Sequence, residues 1–172
     1  LEFADELARS RARVVATLLD NGPAWVVADL AALHAHVVHV PLPTFFTPAQ
    51  REHALRTAGV DAILAPVALP GFDSRPCAVA GAALHLGVRR AEPAALPAGT
   101  AKVTFTSGTT GTPKGVCLSA GTMLAVARSL AEALAPLAIE RHLVALPLPV
   151  LLENLAGVYA PLWHGASVAV PP

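Results

Sequence analysis

Thr104-Phe105-Thr106-Ser107-Gly108-Thr109-Thr110-Gly111-Thr112-Pro113-Lys114-Gly115 is the stretch on which the reading of this chain turns. The residues leading into it, Ala101 to Phe105, are apolar and β-branched enough to form a strand, and that strand runs into a loop of small residues, hydroxyls and one lysine. Gly108, Gly111 and Gly115 let the backbone turn tightly and bring N–H groups close to an anion, because no Cβ stands in the way. The hydroxyls of Thr106, Ser107, Thr109 and Thr110 can donate to phosphate oxygens or ligate a hard cation, and Lys114 adds a positive charge on a flexible stem. Pro113 stiffens the loop just ahead of that lysine. The arrangement differs from the Walker P-loop, in which Gly-Lys-Ser/Thr follows a four-residue spacer. Here Lys114 lies between Pro113 and Gly115, so the Walker mechanism does not transfer.

Upstream of the loop, strands and helices alternate. Leu1 to Arg13 is charged and helical in character, Val14–Leu19 is a strand candidate, and Asp20-Asn21-Gly22-Pro23 is a turn with Pro23 in the first turn of the next helix. That helix runs from Ala24 through Leu33, and Val37–Leu42 makes the next strand, which together form a βαβ unit whose strands should be parallel. Thr47 is placed to cap a helix with Pro48 at its first position and Gly59 at its stop, and Asp61–Ala65 is a third strand. Pro66 to Gly99 is punctuated by proline and glycine, leaving one plausible strand at Ala83–Val88.

Downstream, Val116–Ser119 reads as a short strand that makes a hairpin with Ala101–Phe105, and Ser119 caps a helix through Leu134 whose apolar positions recur at helical spacing. His142–Pro149 as strand, Leu151–Trp163 as helix and Ser167–Val170 as strand repeat the βαβ rhythm. The fold class is therefore α/β: a largely parallel, helix-covered sheet with the candidate phosphate loop projecting from one edge region.

Composition agrees with such a sheet and excludes other classes. The apolar fraction is 54% and the charged fraction only 14%, as expected where strands are buried on both faces. Lys+Arg and Asp+Glu are 12 each, so nothing in the charge balance recruits nucleic acid or an anionic membrane. Leu30 to Gln50 is free of Asp, Glu, Lys and Arg, but its histidines and prolines do not suit a membrane helix. Cys77 and Cys117 stand far apart and read as small apolar residues in a reducing compartment. His34, His36 and His39 are candidate metal ligands by type, yet their spacing across a helix-to-strand junction does not converge on one point.

Thr-Ser-Gly-Thr-Thr-Gly-Thr-Pro-Lys-Gly after an apolar strand resembles the phosphate loop of the adenylate-forming superfamily, which includes acyl-CoA synthetases, luciferases and the adenylation domains of peptide synthetases. Asn21-Gly22-Pro23-Ala24-Trp25 and Val40-Pro41-Leu42 resemble a second, looser motif of the same superfamily, and Leu146-Pro147-Leu148 a third, whose following residues wall the acyl pocket. Val150 stands where the family often has a histidine or an aromatic. The resemblance implies an enzyme of the acyl-CoA synthetase, long-chain fatty acid type that uses ATP and Mg2+ to form an acyl-adenylate and then transfers the acyl group to coenzyme A. It further implies that Thr106, Ser107, Gly108, Thr109, Thr110, Gly111, Thr112 and Lys114 hold the phosphates, with Thr106 the local contributor to magnesium.

The Tyr-Gly-x-Thr-Glu and Thr-Gly-Asp segments of the superfamily do not occur in this sequence, nor does the catalytic lysine of its small C-terminal domain; Lys102 and Lys114 are the lysines present. The expectation is therefore that residues 1–172 are the amino-terminal portion of an adenylate-forming domain, inactive alone, in a protein that is cytoplasmic or peripheral to a membrane. The competing expectation is a non-catalytic α/β module that binds a phosphate ligand or a protein partner.

Overall fold

A computed structural model describes residues 2–106 and 112–171. Its centre is a seven-stranded sheet in the order β4-β5-β3-β1-β2-β6-β7. The strands are β1 Val14–Thr17, β2 Val38–Pro41, β3 Ala62–Ala65, β4 Asp73–Val79, β5 Ala82–Val88, β6 Thr100–Thr106 and β7 Lys114–Ser119. β3, β1, β2 and β6 run parallel, and antiparallel hairpins, β4–β5 and β6–β7, close the two edges. The expected largely parallel, helix-covered α/β sheet is thus the observed one.

Local chemistry explains the helices. α1 spans Glu2–Ser10, and α2, Pro23–His34, starts with its proline where a missing N–H costs nothing. α3, Pro48–Thr57, carries a capping box: Thr47 Oγ1 accepts from Gln50 N at 3.3 Å while Gln50 Oε1 accepts from Thr47 N at 2.9 Å. α4, Ala120–Leu134, is capped by Ser119, whose Oγ accepts from Thr122 N at 3.1 Å.

Successive connections place helices on opposite faces. α2 buries Trp25, Ala28 and Ala32 with α1 and α4 against one face, whereas α3 buries Ala54 and Leu55 with Val40, Val103 and Phe105 against the other. Each fully buried Leu or Ile side chain contributes roughly 1.5–3 kcal/mol, so Leu7, Ile63, Leu64 and Leu86 do much of the fastening.

Three expectations are corrected. First, the strand expected over His142–Pro149 shortens to β8, Arg141–Leu143, because Pro147 and Pro149 cannot donate to a ladder and the chain turns instead. β8 pairs in parallel with β9, Ser167–Ala169, as a separate two-stranded sheet rather than joining the main one. Second, Asp73–Val79, read as featureless, is the edge strand β4; Pro76 is tolerated there because β4 has a neighbour on one side only. Third, the helix expected over Leu151–Trp163 is not uniform. α5, Leu151–Glu153, opens into a π-helical turn at Asn154–Tyr159 before α6, Ala160–Trp163. Pro161 cannot bond the carbonyl of Gly157 and its ring crowds that carbonyl, a conflict that a wider turn relieves. Among the described residues no helix is long and apolar enough to cross a membrane.

Candidate functional site

The β6–β7 hairpin carries those candidate phosphate-loop residues that the structure describes. Antiparallel pairing sets Thr106 opposite Lys114, Phe105 opposite Gly115 and Thr104 opposite Val116. Opposed residues share a face, so Thr106 and Lys114 lie on the face of Lys102 and Thr104, while Val103 and Phe105 pack into the α3 core. Lys114 opens β7 instead of lying in the loop, and both it and Thr106 are exposed. Thr106 Oγ1 donates to the Lys114 carbonyl over a long 3.4 Å. Thr112 is exposed beside them; Ser107, Gly108, Thr109, Thr110 and Gly111 lie outside the described residues.

Among the described residues Lys114 makes no ion pair. An accessible ammonium facing an accessible hydroxyl suits a phosphate and a hard cation: the ammonium neutralises anionic oxygen, and hydroxyl oxygen is a ligand type that Mg2+ accepts. Two further residues support the hairpin. His53 of α3 donates from Nε2 to the Pro113 carbonyl at 3.1 Å and sets its ring edge-on to Phe105, with centroids 6.4 Å apart. Gly115 leaves little space for a side chain, since a Cβ would sit 3.0 Å from Val103 Cγ1 and 3.2 Å from Phe105 Cζ, a tight fit against both. His53 gave no sequence signal, because its partner lies sixty residues away in the chain.

Beneath the hairpin runs a buried polar network that sequence reasoning also missed. Asp29 of α2 accepts from His39 Nδ1 at 2.6 Å, from Lys102 Nζ at 2.7 Å and from Asn154 Nδ2 at 2.8 Å. Lys102 Nζ also donates to Asn154 Oδ1, and it lies 5.0 Å from the centre of the Tyr159 ring. On the far side His39 Nε2 accepts from Thr17 Oγ1 at 2.9 Å.

Burial by itself would push the Asp29 carboxyl up, but Lys102 and His39 overcome that and hold it well below the usual carboxylate range. Burial lowers the His39 pKa in spite of Asp29, so the imidazole is neutral with its proton on Nδ1. Thr17, His39 and Asp29 thereby reproduce the connectivity of a nucleophilic triad. Thr17 and His39 are each only 1% exposed, so no substrate reaches the hydroxyl and the relay is structural. His39 is therefore committed to Asp29 and Thr17 and is not free to ligate a metal with His34 or His36.

Two more features surround the site. Because α2 and α3 leave β1 and β2 toward opposite faces, a crevice opens between the carboxyl ends of these strands, where α/β sheets commonly bind ligands. It encloses about 570 Å³, with Asn21, Thr44 and Phe45 on one side and Leu146, Pro147 and Pro149 on the other. Glu153 is buried and its Oε1 accepts from Ala145 N at 2.9 Å, which makes it a brace for the segment after β8.

Comparison with known proteins agrees with this geometry. The family model described as AMP-binding enzyme matches residues 3–172. A nonribosomal peptide synthetase, pboA of Aspergillus ustus, is 35% identical over 59% of the chain, and a CoA ligase of Gibberella moniliformis is 28% identical over 90% of it. The o-succinylbenzoate CoA synthetase of Bacillus subtilis, solved with its acyl-adenylate intermediate, matches 98% of the chain at 25% identity with a TM-score of 0.66. The same synthetase solved with ATP and a magnesium ion gives a TM-score of 0.64 at 22% identity, again over 98% of the chain. The chain spans 5% of the length of the peptide synthetase, 28% of the CoA ligase, and 46% and 47% of the two solved chains.

Proposed function

Since the chain belongs to the AMP-binding enzyme family, we propose that it supplies the phosphate-gripping part of an ATP-dependent ligase that joins a carboxylic acid to a thiol. Residues 1–172 correspond in this reading to the amino-terminal portion of the adenylate-forming domain, with the adenine, ribose and catalytic-lysine segments supplied from elsewhere in the protein. The acid's carboxylate attacks the α-phosphorus of ATP, pyrophosphate leaves, and the acyl-adenylate then yields its acyl group to the thiol while AMP departs.

The observation that carries this reading is the exposed Thr106–Lys114 pair at the mouth of the β6–β7 hairpin. Lys114 neutralises charge on the departing pyrophosphate, while Ser107, Gly108, Thr109, Thr110, Gly111 and Thr112 cradle the phosphates through hydroxyls and backbone N–H groups. Thr106 contributes an oxygen to Mg2+, which, when bound, draws charge from the phosphate oxygens. Positioning and electrostatic stabilisation of this kind are what such a step requires of a protein.

A fatty acid is the substrate class we favour, because Leu146, Val150 and Leu152 are exposed apolar residues along the third motif. Coenzyme A is the favoured acceptor, since the match to a CoA ligase runs over nearly the whole chain. An enzyme drawing on ATP and coenzyme A fits the cytoplasm or a membrane face supplying fatty acid. The test is carboxylate-dependent pyrophosphate exchange by the intact protein over a panel of acids, followed by thioester formation with coenzyme A. Exchange with fatty acids supports the reading; no exchange with any acid overturns it in favour of a non-catalytic phosphate-binding module.

A further inference from the structure

Asn21 spends both ends of its side chain on one distant segment. Its Nδ2 donates to the Leu146 carbonyl at 2.8 Å, and its Oδ1 accepts from Leu148 N at 2.8 Å. The partners fix the orientation of the amide, because a carbonyl can only accept and a backbone N–H can only donate. A donor and an acceptor on one flat group imitate the paired bonds of a β ladder, so Asn21 takes the place of a neighbouring strand where β8 has ended.

The same segment is held at its other points by Glu153, which receives Ala145 N, and by its own turn, in which Val150 N donates to the Pro147 carbonyl at 2.9 Å. Leu148 is driven into the core, while Leu146 and Val150 stand as large apolar side chains exposed on either side of it. Asn21, Leu146, Pro147 and Pro149 also line one crevice. A shift of Asn21 would therefore move Leu146 and Val150 together, without touching the Thr106–Lys114 pair on the hairpin.

We propose that Asn21 is a specificity-positioning residue: by clamping Leu146 and Leu148 it fixes where Leu146 and Val150 stand and so sets which carboxylic acids are accepted. The proposal rests on the ligase reading given above. It assigns a task to the Asn-x-Pro-x-Trp motif that the phosphate chemistry leaves unused: Pro23 starts α2, Trp25 fills the core beneath it, and Asn21 holds the segment across the crevice.

The intact enzyme tests it, with Asn21→Ala, which removes both bonds, and Asn21→Asp, which keeps the bond from Leu148 N but cannot donate to Leu146. Pyrophosphate exchange is measured against straight-chain, branched and aryl carboxylates, with the KM for ATP read alongside. Asn21→Ala is expected to change the ratio of kcat/KM between slim and bulky acids by about tenfold, the scale of a small change in pocket shape, while the KM for ATP stays within about twofold. Asn21→Asp should shift the ratio in the same direction by less, and it serves as the readout if the alanine variant does not fold.

Loss in equal proportion for every acid, or a parallel rise in the KM for ATP, would overturn the positioning role and leave Asn21 a plain structural clamp. A wild-type enzyme that exchanges with no acid would sink the ligase reading and this proposal together. A wild-type enzyme that exchanges, beside variants with an unshifted acid profile, would sink this proposal alone.

Discussion

Lys102 Nζ lies 2.7 Å from Asp29 Oδ1, and the two side chains are 2% and 0% exposed. This ion pair joins β6, the strand that leads into the candidate phosphate loop, to the helix that follows β1, and Asn154 extends it to the π-helical turn beyond β8. A pair so buried is held by geometry as much as by charge, because each ion must recover in contacts what it lost in hydration.

Removing one partner is expected to be costly and removing both cheap. Lys102→Met leaves the Asp29 carboxylate uncompensated and should cost about 3–5 kcal/mol of stability. The double variant Lys102→Met with Asp29→Asn should recover most of that loss. Urea unfolding of the wild type, Lys102→Met and the double variant checks it; a single variant within about 1 kcal/mol of the wild type would show that the pair is not closed to water.

His39 gives stability a definite pH dependence. Its folded pKa lies below the ordinary value of 6.5 because burial opposes the charged ring. On acidification the unfolded chain binds this proton first, so the contribution of His39 is fully present above pH 6.5 and is lost as pH falls from there toward the folded pKa. Asp29, held well below its ordinary 3.8, adds a second loss only below that pH. Unfolding midpoints should change little between pH 7.5 and 6.5 and fall further at pH 5.5. His39→Gln should flatten the decline, and an unchanged slope in that variant would assign it to other groups.

Lys114 and Lys102 are the lysines of the sequence, and Lys102 is sealed in the core. An amine-reactive ATP acyl-phosphate should therefore label Lys114 among the lysines of this stretch, and excess ATP with Mg2+ should protect it. Lys114→Ala in the intact enzyme should lower kcat/KM for ATP by about a hundredfold or more, on the scale of removing one group that stabilises developing charge. Equal labelling with and without ATP would count against the phosphate role.

His53 predicts a smaller, indirect effect. His53→Leu removes the donor to the Pro113 carbonyl while keeping an apolar contact with Phe105. The loss should be about 1 kcal/mol in stability, the usual worth of one such bond, with a several-fold rise in the KM for ATP. A rise in the KM for the acid instead would place His53's influence elsewhere.

Gly115→Ala tests the packing under the loop. The added methyl would stand 3.0 Å from Val103 Cγ1 and 3.2 Å from Phe105 Cζ, both anchored in the α3 core. Overpacking of this kind costs roughly 1–3 kcal/mol, so thermal unfolding should shift down accordingly. No shift would mean that Val103 and Phe105 can yield.

Much of the fold was legible because its signals are local. Pro23 and the Thr47–Gln50 box start their helices wherever they occur, and the apolar runs at Val14, Val37 and Ile63 can be little other than buried strands. β4 was missed because Pro76 and a mostly exposed face look like loop unless the single-sided neighbour is known. The π-helical turn was missed because its cause, Pro161, lies after it in the chain. At the site, the loop residues were legible as a string, whereas His53, Asp29 and Asn154 were not, since each derives its role from a partner distant in sequence.

The sequence by itself determined the α/β class, the glycine-and-hydroxyl composition of residues 104–115 and the helix starts, because backbone freedom, capping and side-chain type act within a few residues. Only the tertiary structure decided that Lys102 is a core cation, that His39 serves Asp29, and that Asn21 holds Leu146 and Leu148. The physical reason is that hydration and pairing of a polar group depend on what folding brings within 3 Å of it, and no spacing along the chain encodes that.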